Sequence, residues 1–209
     1  MHQCLSTNAK TFQVVSKWPG RSSEGNQTSG QVPTVIDYYD IKDPNKFRWG
    51  WEVNQQTTKP LRWFKLLLNR TNPNTPGAAT ESLHRGNDED LDEFLEDANN
   101  LIPLGMTIVD VVADYLKMLV KYTRRSIERT FQPAFLHQGG DGIPTDFVLT
   151  VPALWSDKAK SMMMEAAEKA GMTTSKNTVR LISEPEAAAL HSLNFYQNTA
   201  NYLKVRIDP

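Results

Sequence analysis

The chain has 209 residues, 39% hydrophobic and 22% charged, which is enough for one good core or two small ones. Its 23 basic and 24 acidic residues leave a net charge of −1, so nothing in the balance argues for a nucleic-acid or membrane partner. No apolar run approaches membrane-spanning length, the N-terminus lacks a signal-peptide stretch, and Cys4, the single cysteine, excludes an internal disulfide and cysteine-based metal sites; a cytoplasmic protein is expected.

Phe12 to Trp18 reads as a strand, followed by a polar loop from Pro19 to Gly30. Val35 to Tyr39 is the next strand candidate and the aromatic stretch Lys46 to Trp51 a third. Pro60 to Leu68 is expected to be a helix opened by Pro60, whose missing donor costs nothing in a first turn. It is apolar on nearly every side, which predicts a sandwiched element. Asn69 to Thr80 is a loop, and Asp88 to Asp97 an acidic helical stretch.

The clearest helix runs from Thr107 to about Arg129. Ile108, Val111, Val112, Tyr115, Leu116, Leu119 and Tyr122 recur at helical spacing, with acids early and bases late, as the helix dipole favours. A glycine-rich turn at Gly139 to Gly142 follows. Phe147 to Val151 is a near-continuous apolar run, the mark of a strand buried on both faces. Ser156 then caps a helix that Gly171 ends, with Ala159, Met162, Met163, Ala166, Ala167 and Ala170 as its inner stripe. Such small residues let a helix lie close against a sheet. Val179 to Ile182 is the next strand, and Ser183 with Glu186 forms a capping-box pattern that starts a last helix. Strands alternating with helices argue for a layered α/β domain, with Phe147 to Val151 and Val179 to Ile182 as parallel neighbours.

Few side chains carry a chemical signal. Glu184 stands where a strand stops and a helix begins, the edge of an α/β sheet at which ligands gather. A carboxylate there either orders the water shell of a magnesium ion on a nucleotide phosphate or merely complements the helix dipole. Lys65, beside Trp63 and Phe64, either reaches a phosphate or snorkels to solvent. The acidic cluster Asp88, Glu89, Asp90, Asp92 and Glu93 lacks the glycine and terminal glutamate of a calcium loop. Met162 to Met164 read as a core face, and no two of His2, His84, His137 and His191 stand at ligand spacing. No direct metal ligand is assigned. The sequons at Asn26 and Asn69 read as chance matches.

The segments Phe147–Ala153 (with "TVPA"), the helix to Gly171, and Leu181–Ala189 (with "EPEAAA") resemble the ATPase domain of the heat shock protein 70 family. "SKWPG" near Trp18, "QVPTVI" at Pro33 and "RWFKLLL" around Lys65 look more like its divergent fungal members than its housekeeping chaperones. The resemblance covers about residues 11 to 193. It implies an actin-like ATPase (ribonuclease H-like) fold, present as one partial lobe: residues 1–32 and 106–209 as a partial core subdomain, and 33–105 as an inserted upper subdomain opened by Pro33-Thr34. It also implies ATP and magnesium as cofactors. Lys65 matches a lysine near the γ-phosphate and Glu184 the glutamate near the magnesium and attacking water, which makes both catalytic and cofactor-binding candidates. Pro152 matches the proline implicated in signalling between the family's domains.

The departures from that pattern are as informative. The family's first D-x-G-T hairpin grips phosphates through backbone donors, but here the first glycine is Gly20, already past the matching region. The second hairpin should follow the last helix, but no glycine follows Gly171. A central strand, the adenosine-binding lobe and the peptide-binding domain have no counterpart, so an incomplete lobe with unpaired strand edges is expected. The expected function is therefore that of a fragment of a chaperone ATPase with weak or absent ATP binding and turnover. The rival expectations are a non-catalytic module that binds a co-chaperone or nucleotide-exchange partner, and a truncated gene product.

Overall fold

The computed structural model describes residues 14–15, 18–20, 31–40, 43–53, 60–69, 97–135 and 144–193, with side chains from 130 to 135 excepted. Strands β1 (Val35–Tyr38), β2 (Phe47–Trp49) and β3 (Leu61–Arg62) form an antiparallel sheet in the order β2-β1-β3. Its register sets Ile36 opposite both Trp49 and Leu61, and those three side chains are fully buried or nearly so. After β2 a single 3₁₀ turn, Gly50–Glu52, carries the chain away. Gly50 sits at φ +57° with its missing Cβ position against Val32 Cγ2, so a side chain there is both strained and obstructed.

Helix α1 is short, Phe64–Leu67, and α2 is long, Ile108–Phe135. A few residues at 97–100 are also helical. Helix α2 starts as its sequence predicts. Thr107 and Asp110 cap each other: the Thr107 amide donates to Asp110 Oδ2 at 2.8 Å, and the Asp110 amide donates to Thr107 Oγ1 at 3.3 Å. The stripe of Val111, Val112, Tyr115 and Leu116 is buried against the sheet, whose Trp49 packs edge-on to Tyr115 with centroids 5.6 Å apart. Such aromatic pairs add about 0.5–1.5 kcal/mol beyond the area they bury. Two tyrosines lock this layer with their hydroxyls: Tyr38 donates to Asp114 Oδ2 at 2.9 Å, and Tyr115 to the Pro33 carbonyl at 3.1 Å. Burial, and secondarily Asp114, hold the Tyr38 phenol well above its ordinary pKa, so it stays a donor. Among the described residues, Asp37 Oδ2 and Trp49 Nε1 are buried without a hydrogen-bond partner, a desolvation cost that this sheet carries.

The second sheet is parallel. Strand β4 (Asp146–Val151) pairs with β5 (Thr178–Ser183) from Asp146↔Thr178 to Val151↔Ser183. Helix α3 (Asp157–Lys169) makes the crossover. Ser156 Oγ accepts from the Ala159 amide at 3.2 Å, the expected N-cap. At the other end Gly171 has φ +73°, its amide donates to Glu168 O, and the Met172 amide donates to Ala167 O, which together form a Schellman stop. Ala159, Ala166 and Ala167 are wholly buried, so α3 lies close to its neighbours along the predicted stripe. Lys169 pins the end of α3 to the start of α2 through Asp110 at 2.8 Å, while also reaching Glu165 at 3.2 Å. Residues 184–193 form helix α4, which begins where Ser183 Oγ accepts from the Glu186 amide. One continuous hydrophobic cluster runs from Ile36 and Trp49 through α2 to Val151, Trp155 and the alanines of α3.

Three expectations need correction. Pro60 does not open a helix: Leu61 and Arg62 are in β3, and the helix starts at Phe64. Leu61 is 2% exposed and pairs with Ile36, so sheet pairing and burial outweigh the local helical preference. Strand β4 is not buried on both faces. Phe147 and Leu149 face the core, whereas Val148 is 51% exposed and Thr150 is open. Among the described residues, the apolar run is covered by α2 and α3 on one side only. Of the strand expected from Phe12 to Trp18, the described residues Val14, Val15 and Trp18 are not in a strand. The acidic stretch from Asp88 lies outside the described residues except Asp97, which is helical, and the glycine turn at 139–142 lies outside them altogether.

Candidate functional site

Lys65 and Glu184 are 119 positions apart in sequence, and the fold brings them into contact. Lys65 Nζ donates to Glu184 Oε1 at 3.0 Å and to the Thr150 carbonyl at 3.0 Å. The two strand ends explain the meeting. Thr150 is the penultimate residue of β4 and Glu184 follows the last residue of β5, so both stand at the carboxyl edge of the parallel pair. That edge is where open α/β sheets collect ligands. Pro152, one residue beyond β4, lines the same cavity of about 490 Å³, together with Lys65, Glu184, Thr34, Arg62 and Trp63. All three residues singled out from the sequence therefore lie at one place.

Several elements hold Lys65 there. It sits on the first turn of α1, and that helix is entered through Trp63, whose φ of 58° and ψ of 13° are left-handed. At the far end of α1, Asn69 Oδ1 accepts from both the amide and the hydroxyl of Ser156, the N-cap of α3. The Asn69 side chain thus ties the lysine-bearing turn to the crossover helix. The buried Trp155 ring lies beneath the ammonium, with Nζ 5.6 Å from the ring centroid. The lysine's aliphatic stem is covered while its charge stays on the cavity side: 29% of the Lys65 side chain and 51% of Glu184 are exposed. An ion pair at that exposure contributes about 0.2–1 kcal/mol, so it does not hold the fold together and is free to exchange partners.

Chemically, the site offers an ammonium that can meet phosphate oxygens and a carboxylate that can order the water shell of a hard cation. Arg62 adds a second cation on the wall. Among the described residues no three histidine, cysteine, aspartate or glutamate side chains converge to hold a metal ion directly. Among the same residues, no helix is long and apolar enough to cross a membrane.

The sequence reading missed four contributors: Arg62, Trp63, Trp155 and the Thr150 carbonyl. "RWFKLLL" placed Arg62 and Trp63 beside Lys65, but reading that segment as a packed helix hid the turn that exposes them. Trp155 stood next to the "TVPAL" run without an assigned role. A backbone carbonyl has no sequence signature.

No family model matches the chain. A stretch of 47 residues is 47% identical to Heat shock 70 kDa protein 12A of Mus musculus and 45% identical to that of Homo sapiens. It is 22% of this chain, and the chain spans only 7% of the length of these relatives. The similarity is weak and partial, and is a family-level hint only, toward a divergent member of the heat shock protein 70 family. Among the described residues the fold is mixed α/β with two small sheets.

Proposed function

We propose that this chain is part of an actin-like ATPase lobe of a divergent heat shock protein 70-like protein, and that it carries one wall of a magnesium–nucleotide phosphate site. One observation carries the reading: Lys65 and Glu184 meet at 3.0 Å on the carboxyl edge of a parallel β-α-β unit. The partial similarity to Heat shock 70 kDa protein 12A supports it independently. Lys65 would contact the terminal phosphate, and Glu184 would act on the magnesium through water. Pro152, on the same cavity, is suited to pass a change there to a neighbouring domain. Phosphate affinity in such folds comes chiefly from backbone donors in glycine-rich turns. The described residues around the cavity supply side-chain charges instead, so binding by this chain is weak and turnover slow or absent. The single cysteine, Cys4, supports a cytoplasmic location as part of the same proposal.

The test is an amide NMR titration with magnesium–ATP to millimolar concentration. The expected result is fast-exchange shifts at Thr34, Lys65 and Glu184 that Lys65→Ala abolishes. Shifts elsewhere only, or none, overturn the reading. Micromolar affinity lost in Lys65→Ala would instead make hydrolysis by this chain its leading activity.

A second reading has its own observation. The outer face of β4 exposes Val148, and α4 exposes Leu190 and Leu193 at 56% and 59%. Apolar surface of this kind suits a protein partner such as a co-chaperone or exchange factor. On that reading the chain is a non-catalytic interaction module.

A further inference from the structure

Helix α2 carries a row of basic residues that its own packing does not use. Lys117, Lys121, Arg125 and Arg129 follow one another at intervals of four, and Arg124 lies beside them. All five are exposed. At 1.5 Å per residue the row runs for about 18 Å along the helix. Glu128 is the single acid between 117 and 129, so this stretch has a net charge of +4 in a chain whose total is −1.

The usual structural reasons for such a row fail. A helix dipole favours bases in the last turn, but α2 continues to Phe135, so the row sits in the body of the helix. Ion pairing does not account for it either, because among the described residues none of the five has a carboxylate within ion-pair distance. Lys117 attracts Asp114, but that carboxylate already accepts the Tyr38 hydroxyl at 2.9 Å. Arg125 rests over the Tyr122 ring, 5.5 Å from its centroid, which leaves its guanidinium charge uncompensated. Like charges four apart weaken a helix, so the row costs stability at each of its steps. A charged row retained under those conditions is accounted for by something outside the helix.

We infer that this ridge docks an acidic segment of a partner protein. A helix with a glutamate at every fourth position presents carboxylates at the same step of about 6 Å, so the two rows match by charge and by period. Two other anionic surfaces fit less well. A helix that lies on a membrane inserts its apolar face, and the apolar stripe of α2, Val111, Val112, Tyr115 and Leu116, is buried against the sheet. A nucleic acid is drawn by positive charge over a whole domain, and this chain is net negative. None of the ridge residues lines the Lys65 cavity, so the inference is independent of what binds there.

The experiment titrates the full chain with a helical peptide of Glu-Ala-Ala-Ala repeats and with its glutamine counterpart, followed by amide NMR in about 0.05 M salt. The glutamate peptide should shift resonances between 117 and 129, and the glutamine peptide should not. Binding should be lost in about 1 M salt, where the Debye length falls to about 3 Å. The double variant Lys121→Gln/Arg125→Gln should bind about five-fold more weakly, the range that two exposed pairs supply. Its urea midpoint should stay the same or rise, because like-charge repulsion has been removed. A lowered midpoint would give the row a structural role and overturn the inference, as would unchanged affinity. Tighter binding of a DNA duplex or of phosphatidylserine vesicles than of the peptide would overturn the partner class. The acidic stretch from Asp88 supplies the last control. Peptide binding seen only in Asp90→Asn/Asp92→Asn/Glu93→Gln would show that the chain itself fills the ridge, and would overturn docking of a partner.

Discussion

Replacing Ala167 with leucine tests how closely α3 lies against the rest of the fold. Ala166 and Ala167 are both fully buried, and Ala167 also supplies the carbonyl that receives the Met172 amide at the helix stop. Leucine adds three carbons. If space were available, their burial would stabilise the fold by about 2.4 kcal/mol, at roughly 0.8 kcal/mol per carbon. In a close-packed interior the same atoms force neighbours off their rotamers, at a cost of about 1–3 kcal/mol. Alanine and leucine differ little in helix propensity, so the experiment isolates packing. The second regime is expected here, because Met163 and Met172 beside the site are themselves 5% and 2% exposed. Urea unfolding followed by far-UV circular dichroism should show a lower midpoint at unchanged slope, corresponding to a loss of about 1–3 kcal/mol. Ser161→Leu, on the exposed face of the same helix, should stay within about 0.5 kcal/mol of wild type. A neutral or stabilised Ala167→Leu would refute the close apposition of α3 and with it the packing argument for the crossover.

Two aspartates on α2 should respond to pH in opposite directions. The hydrogen bond from Lys169 lowers the Asp110 carboxyl from 3.8 to about 2, so its contribution is complete above 3.8 and is lost as pH falls through about 2. With Asp110 and Lys169 side chains 31% and 42% exposed, screening leaves about 1 kcal/mol. Asp110→Asn should lose that amount in neutral-pH urea melts and little near pH 2. Asp114 is held above its ordinary value by burial, so its charge disfavours the fold at neutral pH, and the penalty is relieved as pH falls through its raised pKa. Asp114→Asn keeps an acceptor for the Tyr38 hydroxyl without a buried charge and should match or exceed wild-type stability at pH 7; a clear loss there would show that the charge itself is needed.

The sequence by itself determined the parts whose causes are local. Ser156, the alanine stripe and Gly171 mark the start, inner face and end of α3 within fifteen positions of one another, because capping, helical periodicity and the left-handed stop each act over a single turn. The capping pair at Ser183 was legible for the same reason, and so was the parallel β4-α3-β5 unit that it ends. Glu184 and Lys65 could be singled out as residue types in suggestive places, with each left between a chemical and a structural reading. Only the tertiary structure decided what lies between distant segments. It took Leu61 from a helical pattern into a strand because Ile36 offered pairing and burial. It left one face of β4 open because a continuous apolar run does not say how many layers cover it. It turned the chain at Trp63 through a conformation that sequence does not announce for tryptophan. Lys65 meets Glu184 only because the Trp63 turn, the Asn69–Ser156 hydrogen bonds and the two strand ends converge, a long-range geometry that no local pattern encodes.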